Sequence, residues 1–239
     1  MLCNRITALL LAAVLVPALV FAAGDLQGLA GKKASAVNEV VTRPTISRVS
    51  VLPGLPVSSR QYEFLLDRPR LSMALAHISD PSLDLYKIEV RPDGTCHVDD
   101  PTGLAGDMEL VSSSPGKRVY FISGHYDILK MRFNGRMVLD SEYSEHTCLE
   151  GVFVDSKAVS YVKVDSSFVG VFAKLMAFLF PKKVDARIGR FSNAVKGVAV
   201  AVRNDPAGMY KRLAATGEFS PDDLREYSLM FLKKQEASR

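Results

Sequence analysis

The stretch Leu85 to Val98, LYKIEVRPDGTCHV, is where the chain changes its period. Tyr86, Ile88 and Val90 point one way, and Lys87, Glu89 and Arg91 the other, which is the alternation of a half-buried strand. Pro92-Asp93-Gly94 then supplies a turn with a mechanism: proline presets φ and glycine accepts a positive one. Thr95 to Val98 return as the hairpin partner. Upstream of this stretch the apolar spacing is helical, and downstream the same two-residue alternation repeats.

Met108 to Val111 read as the next strand, and Ser112 to Lys117, with Pro115-Gly116, as its turn. Arg118 to Ser123 are a strong strand, and Gly124-His125-Tyr126-Asp127 read as a loop after it. Leu129, Met131 and Phe133 alternate with Lys130 and Arg132. Asn134-Gly135 reads as a two-residue hairpin turn, so Arg136 to Tyr143 should pair back. Val152 to Val154 and Val159 to Val164 close the set around Asp155-Ser156-Lys157, read as a polar turn. Strands joined by short connections predict an antiparallel meander of roughly six strands.

Before the meander, Thr45 to Val51 alternate as one strand, ended by Pro53, Gly54 and Pro56. Ser58 and Gln61 have the spacing of a capping box, and Tyr62 to Leu66 form a short helix. Asp67-Arg68-Pro69 breaks it and starts a second, with Pro69 in the first turn. That helix runs through Leu71, Leu75 and Ile78, with His77 near its end. After the meander, Phe168 to Phe180 are almost wholly apolar, and Pro181 interrupts. Val184, Ile188, Phe191, Val195, Val198 and Val202 then define the clearest amphipathic helix of the chain. Asn204-Asp205-Pro206 ends it. Met209 to Ala215 and the helix opened by Ser220-Pro221-Asp222-Asp223 follow.

Met1 to Ala22 read as a secretory signal. Arg5 is the charge, Ile6 to Val20 the apolar core, and Val20-Phe21-Ala22 the cleavage site, with retention as an anchor the alternative. The expected organisation is residues 1–22 signal, 23–39 flexible leader, 40–205 one domain and 206–239 a helical tail. The 239 residues are 48% hydrophobic and 23% charged, with a formal net charge of +4. The apolar fraction is too high for a disordered chain. The charge is too balanced to argue for nucleic acid, and one apolar run is too few for a polytopic membrane protein. Export permits a disulfide between Cys96 and Cys148, with two free thiols the alternative.

The element order is a strand, two short helices, a meander and a long helix, with Gly135-Arg136-Met137-Val138 in mid-chain and Lys163-Val164-Asp165 before the long helix. That order resembles the START-like or SRPBCC superfamily, the helix-grip fold of polyketide cyclase-like proteins, plant pollen allergens and lipid-transfer domains. The resemblance covers about Val40 to Asp205 and departs from the pattern at Pro181 and in the tail. It implies an α+β fold in which a curved antiparallel sheet grips a C-terminal helix around an apolar cavity. It also implies an apolar small molecule, lipid, sterol, hormone or polyketide, as partner. The chain has no Trp and 8% aromatics, so few side chains are bulky enough to fill such a space.

On this reading the protein is an exported, non-enzymatic carrier that needs no cofactor. Phe172, Met176, Ile188, Phe191 and Val195 line its cavity from the helices, and Phe121 and Met131 from the sheet. A cyclase or hydrolase would instead use His125 as general base oriented by Asp127. An envelope-associated module would use the apolar helix at 168–180 with Lys182-Lys183 at a membrane surface. Cys96-His97 and His146-Thr147-Cys148 suggest a zinc set by residue type. Neighbours on a strand point to opposite faces, however, so one metal cannot easily collect Cys96 and His97.

Overall fold

The computed structural model describes residues 31–83, 86–101, 103–128, 131–165 and 171–232, and the side chains of 31, 32, 128, 131 and 171–184 lie outside that description. The signal and cleavage readings at 1–22 fall outside the described residues. The elements are α1 (Gly31–Thr42), β1 (Ile46–Leu55), α2 (Ser59–Leu66), α3 (Pro69–Ser79), β2 (Lys87–Val90), β3 (Cys96–Asp100) and β4 (Leu104–Ser114). They continue with β5 (Lys117–Ile128), β6 (Met131–Cys148), β7 (Gly151–Val164), α4 (Val171–Asn204), α5 (Pro206–Ala215) and α6 (Pro221–Phe231). The fold is α+β. One seven-stranded antiparallel sheet has the order β1-β7-β6-β5-β4-β3-β2, a meander whose last strand also takes β1 on its far side.

Three expected breaks are absent because the strands run through them. Gly124 to Asp127 belong to β5 and pair with β6. Asn134-Gly135 lie inside β6, with Asn134 opposite His125 and Gly135 opposite Gly124; β5 and β6 connect instead between Ile128 and Met131. Asp155-Ser156-Lys157 continue β7, and β6 and β7 meet at Cys148 and Gly151. Pro181 likewise falls within α4, which is assigned unbroken from Val171 to Asn204.

Curvature follows from the contacts of α4. Asp185 accepts a bond from Arg48 of β1 at 2.6 Å, and Arg187 donates to Asp100 of β3 at 2.9 Å. In a flat sheet the five inter-strand steps from β1 to β3 would span roughly 24 Å. Two side chains from one helical turn reach both strands, so the sheet curls around α4. The bend has a local cause. Gly106, Gly124 and Gly135 lie side by side across β4, β5 and β6. A Cβ on Gly124 would stand 2.3 Å from the Ala105 carbonyl oxygen, and one on Gly106 2.7 Å from that of Ser123. Only hydrogen at these positions lets the strands approach so closely.

The expected flexible leader is helical from Gly31 on. Val37 and Val40 of α1 are fully buried on the convex face of the sheet, with Val119, Val138, Val159 and Tyr161. Arg136 fixes this helix by bonding Glu39 and Asp165, both at 2.8 Å, and Lys163 pairs with Glu39 at 3.1 Å. Arg136 and Lys163 hold the Glu39 carboxyl below the usual glutamate range. A carboxyl lowered in the folded state stabilises above its unfolded pKa and loses that contribution as pH falls through the folded value. Glu39→Gln should therefore be less stable than wild type near neutral pH, with the gap closing in acid. Urea unfolding at pH 7 and pH 3 measures it, and a gap independent of pH would refute the ionic account.

The helical tail is part of the main core. Met209, Leu213 and Tyr227 are fully buried beside Leu55, Phe64, Leu71, Leu75 and Val202. Phe64 and Phe231 meet edge to face at 5.7 Å. α5 and α6 thus close α2 and α3 from outside. The capping boxes at Ser58–Gln61 and Ser220–Asp223 form as their spacing predicts. Asp67 caps the end of α2 rather than the start of α3, and Pro69 opens α3 after Arg68.

Candidate functional site

Strand parity sorts the sheet's side chains onto two faces. Arg118, Tyr120, Ile122, Gly124 and Tyr126 of β5 face the concave side. They share it with Met108 of β4, Met137 and Leu139 of β6, and Ser156 and Ser160 of β7. Val119, Phe121, His125 and Asp127 face the convex side with α1. The two faces are filled differently. Val119 and Val138 under α1 are fully buried, whereas Met108, Ile122, Met137 and Leu139, equally central, are only half-buried. The α4 helix packs on α3, α5 and β1, and Arg187 carries it across to Asp100 of β3 and Tyr126 of β5. The glycine row adds no side chains there. The result is an apolar, half-buried concave floor.

Polar clusters close both ends of this floor. At one end Asp100, almost wholly buried, is paired with Arg187, whose guanidinium lies 4.3 Å from the centre of the Tyr126 ring. At the other, the guanidinium of buried Arg118 donates to both oxygens of Asp67 at 3.1 and 3.2 Å. It also donates to the Tyr143 hydroxyl and the Ser114 carbonyl at 2.9 Å, and to the Lys117 carbonyl at 3.0 Å. The Tyr143 hydroxyl in turn donates to Glu63 at 2.8 Å. Tyr62 donates to Ser156 at 3.0 Å. Burial pushes the Tyr62, Tyr120 and Tyr143 phenols up, so all three stay protonated.

The residues singled out from sequence do not converge. Phe121 faces α1, on the side away from α4, so it cannot line the concave space. Phe191 is 60% exposed on the outer side of α4. Ile188 and Val195 are half-buried on the gripped side, Val195 against the α2–α3 core. The side chains of Phe172, Met176 and Met131 lie outside the described residues. His125 Nε2 lies 3.8 Å from Asp127 on the convex face, and Asp127 is committed to Arg132 through bonds of 3.0 and 2.9 Å. That pair lowers the Asp127 carboxyl and leaves it a poor proton acceptor.

Cys96 and Cys148 are free thiols. Through the ladder Cys96 stands in register with Met137, and Cys148 lies roughly 35 Å further along β6. A disulfide needs Cα atoms within about 7 Å, so the bridge cannot form. Nor does the apparent zinc set assemble. His97 turns to Asp107 at 2.7 Å on the convex face, and His146 pairs with Asp155 at 3.1 Å. Among the described residues no group of three or more His, Cys, Asp or Glu is placed to share an ion, and no helix is long and apolar enough to cross a membrane. A separate groove of about 490 Å³ runs between α3, α4 and α5 past Ile78, Lys196, Val200 and Arg212.

Sequence reasoning missed Tyr120, Arg118 and the glycine row. The signal for Tyr120 is its place beside Phe121: adjacent strand residues face opposite ways, and it is Tyr120, not Phe121, that faces the concave side.

No family model matches the sequence, and no curated protein matches it. Among solved structures, an uncharacterized protein from Rhizobium leguminosarum is 14% identical, with a TM-score of 0.26, over 64% of this chain and 96% of the other. Ara h 8.0201 is 11% identical, with a TM-score of 0.27, over 65% of this chain and 97% of its own.

Proposed function

We propose that this chain is an exported, non-enzymatic binding protein for an apolar or amphipathic small molecule, lipid-like in character, held between the concave sheet and α4. We further propose that it is a distant START-like protein, on its element order. The observation that carries the binding reading is the half-buried apolar floor of Met108, Ile122, Met137 and Leu139 under a helix that bridges it. Central-strand apolar residues covered by a fitting helix would be buried, as Val119 and Val138 are on the other face. Small-molecule sites are mostly apolar concavities with a few placed polar groups, and the Arg118 and Arg187 clusters are such groups. Affinity would come mainly from apolar area removed from water. The hydrolytic alternative has less support, because His125 and Asp127 stand on the convex face.

Native mass spectrometry of the purified protein tests the proposal, paired with titration of the neutral fluorescent probe N-phenyl-1-naphthylamine. The expected result is a bound small molecule removable by organic solvent, and a saturable fluorescence rise in the extracted protein. A protein that carries nothing and takes up no probe would sink it.

A further inference from the structure

We infer that the open groove between α3, α4 and α5 is a second binding site, apart from the concave floor, and that it takes a single-chain carboxylate whose tail lies along α4 and whose head meets Lys196 and Arg212. The groove holds about 490 Å³ and draws no lining residue from the sheet. Small-molecule sites have volumes of about 300–1,000 Å³. Its α4 wall is one helical face, Asn193, Lys196, Gly197, Val200 and Ala201, because residues three and four apart are neighbours on a helix. That face runs roughly 12 Å along the axis. Gly197 hollows it: a Cβ there would meet nothing within 4 Å. Val200 is left 38% exposed, while Val198, Ala199 and Val202 beside it are buried in the core. Ile78 adds an apolar wall from α3.

The charge of the lining selects the head. Lys196 comes from α4 and Arg212 from α5, and among the described residues no acid lines the groove. Lys196 is exposed and takes part in no ion pair among the described residues. Arg212 is more than half exposed and has Asp205 as its acidic partner at 3.5 Å. That carboxylate already accepts the Gly208 amide at 2.8 Å as the cap of α5. The other contacts of the guanidinium are a long bond to the Gly208 carbonyl at 3.4 Å and one to the Met209 sulfur at 3.1 Å. An incoming carboxylate would give Lys196 an acidic partner and Arg212 a charge-assisted bond. An alcohol would leave both cations unmet, and an ammonium would be repelled. Apolar area removed from water along Ile78, Val200 and Ala201 supplies the rest of the affinity.

The test is NMR of the methyl-labelled protein titrated with decanoate, decan-1-ol and decylamine, each below the concentration at which it self-associates. Decanoate is expected to shift the Ile78, Val200 and Ala201 methyls saturably, and to bind there more tightly than the other two. Lys196→Gln and Arg212→Gln should each weaken decanoate about threefold, within the range of an exposed ion pair, and leave decan-1-ol unchanged. Added salt should weaken decanoate in wild type but not in the double variant. Gly197→Leu puts a side chain into the groove without a clash at its Cβ, so it should abolish the shifts and keep a folded spectrum. Should that variant not fold, the two glutamine variants decide. Shifts confined to the methyls of Met108, Ile122 and Met137 would overturn the groove site while supporting the concave one. Equal binding of decan-1-ol and decanoate in the groove would overturn the carboxylate, as would full decanoate affinity in the double variant. Groove methyls that move with protein concentration alone would give the groove to a second copy of the chain and overturn the proposal as well.

Discussion

Gly124→Val is expected to destabilise the protein by about 3 kcal/mol or more, or to prevent folding. A Cβ at this position would lie 2.3 Å from the Ala105 carbonyl oxygen, 2.6 Å from the Gly106 Cα and 3.1 Å from the Ala105 carbonyl carbon. All three are backbone atoms of β4, so no rotamer change relieves the clash. The strands must separate, and the ladder bonds between β4 and β5 at this row go with them. Valine is otherwise among the best strand residues, which makes the sign informative: propensity argues for it and geometry against. Gly189→Ala in α4 is the control, because a Cβ there meets nothing within 4 Å. It should gain about 0.5–1 kcal/mol, as helical glycine replaced by alanine does. Urea unfolding of both variants decides the matter. A Gly124→Val protein within about 1 kcal/mol of wild type would mean that the close approach of β4 and β5 does not set the bend.

The same glycines explain where the sequence was legible and where it was not. Alternation at Leu85–Val90, Arg118–Ser123 and Val159–Val164 located strands, since β propensity and patterning agree there. In the sequence Gly124 reads as part of a loop, and Asn134-Gly135 and Asp155-Ser156-Lys157 as turns, because glycine and polar clusters punctuate strands far more often than they sit within them. Here they have interior roles. The glycines permit a bend, Ser156 accepts the Tyr62 proton on the concave face, and Asp155 accepts the Gly54 amide across β1. Helix α1 carried a readable signal, Val37, Val40 and Val41 at helical spacing, but it was masked by the small polar residues before it.

The candidate site was harder to read than the fold. Alternation tells inward from outward only when one face is wet. In this sheet α1 covers one face and α4 bridges the other, so Tyr120 and Phe121 were equally eligible from sequence. Long-range contacts separate them: Arg118, of the same parity as Tyr120, reaches Asp67 of α2, and Phe121 packs with the α1 cluster. The helices of the tail are legible in the sequence, but their place in the core is not, for a related reason. Met209, Leu213 and Tyr227 lie on short segments whose apolar residues find their partners, Phe64 and Leu75, more than a hundred residues upstream.

Arg118→Met should cost about 3–5 kcal/mol, the range for removing one partner of a buried charged pair. Methionine keeps the apolar stem and removes the guanidinium, which is the hub of five hydrogen bonds. The Ser114 and Lys117 carbonyls then lose a donor, and Tyr143 and Glu63 lose the positive charge beside them. Asp67 is partly exposed, so Asp67→Asn alone should cost less, because water can replace part of what it loses. The double variant should be less destabilised than the sum of the two, since Asp67 without its arginine has little left to lose. Structurally, the arginine is what ties α2 to β5 and β6, and α2 in turn carries Tyr62 and Phe64 into the core. Amide exchange in residues 59–66 should accelerate in Arg118→Met before that of β6 and β7, which keep their ladder. A loss under about 1 kcal/mol, or additive single variants, would refute the picture of a coupled network. It would leave Arg118 as one more charge at the edge of the concave floor rather than the tie between α2 and the sheet.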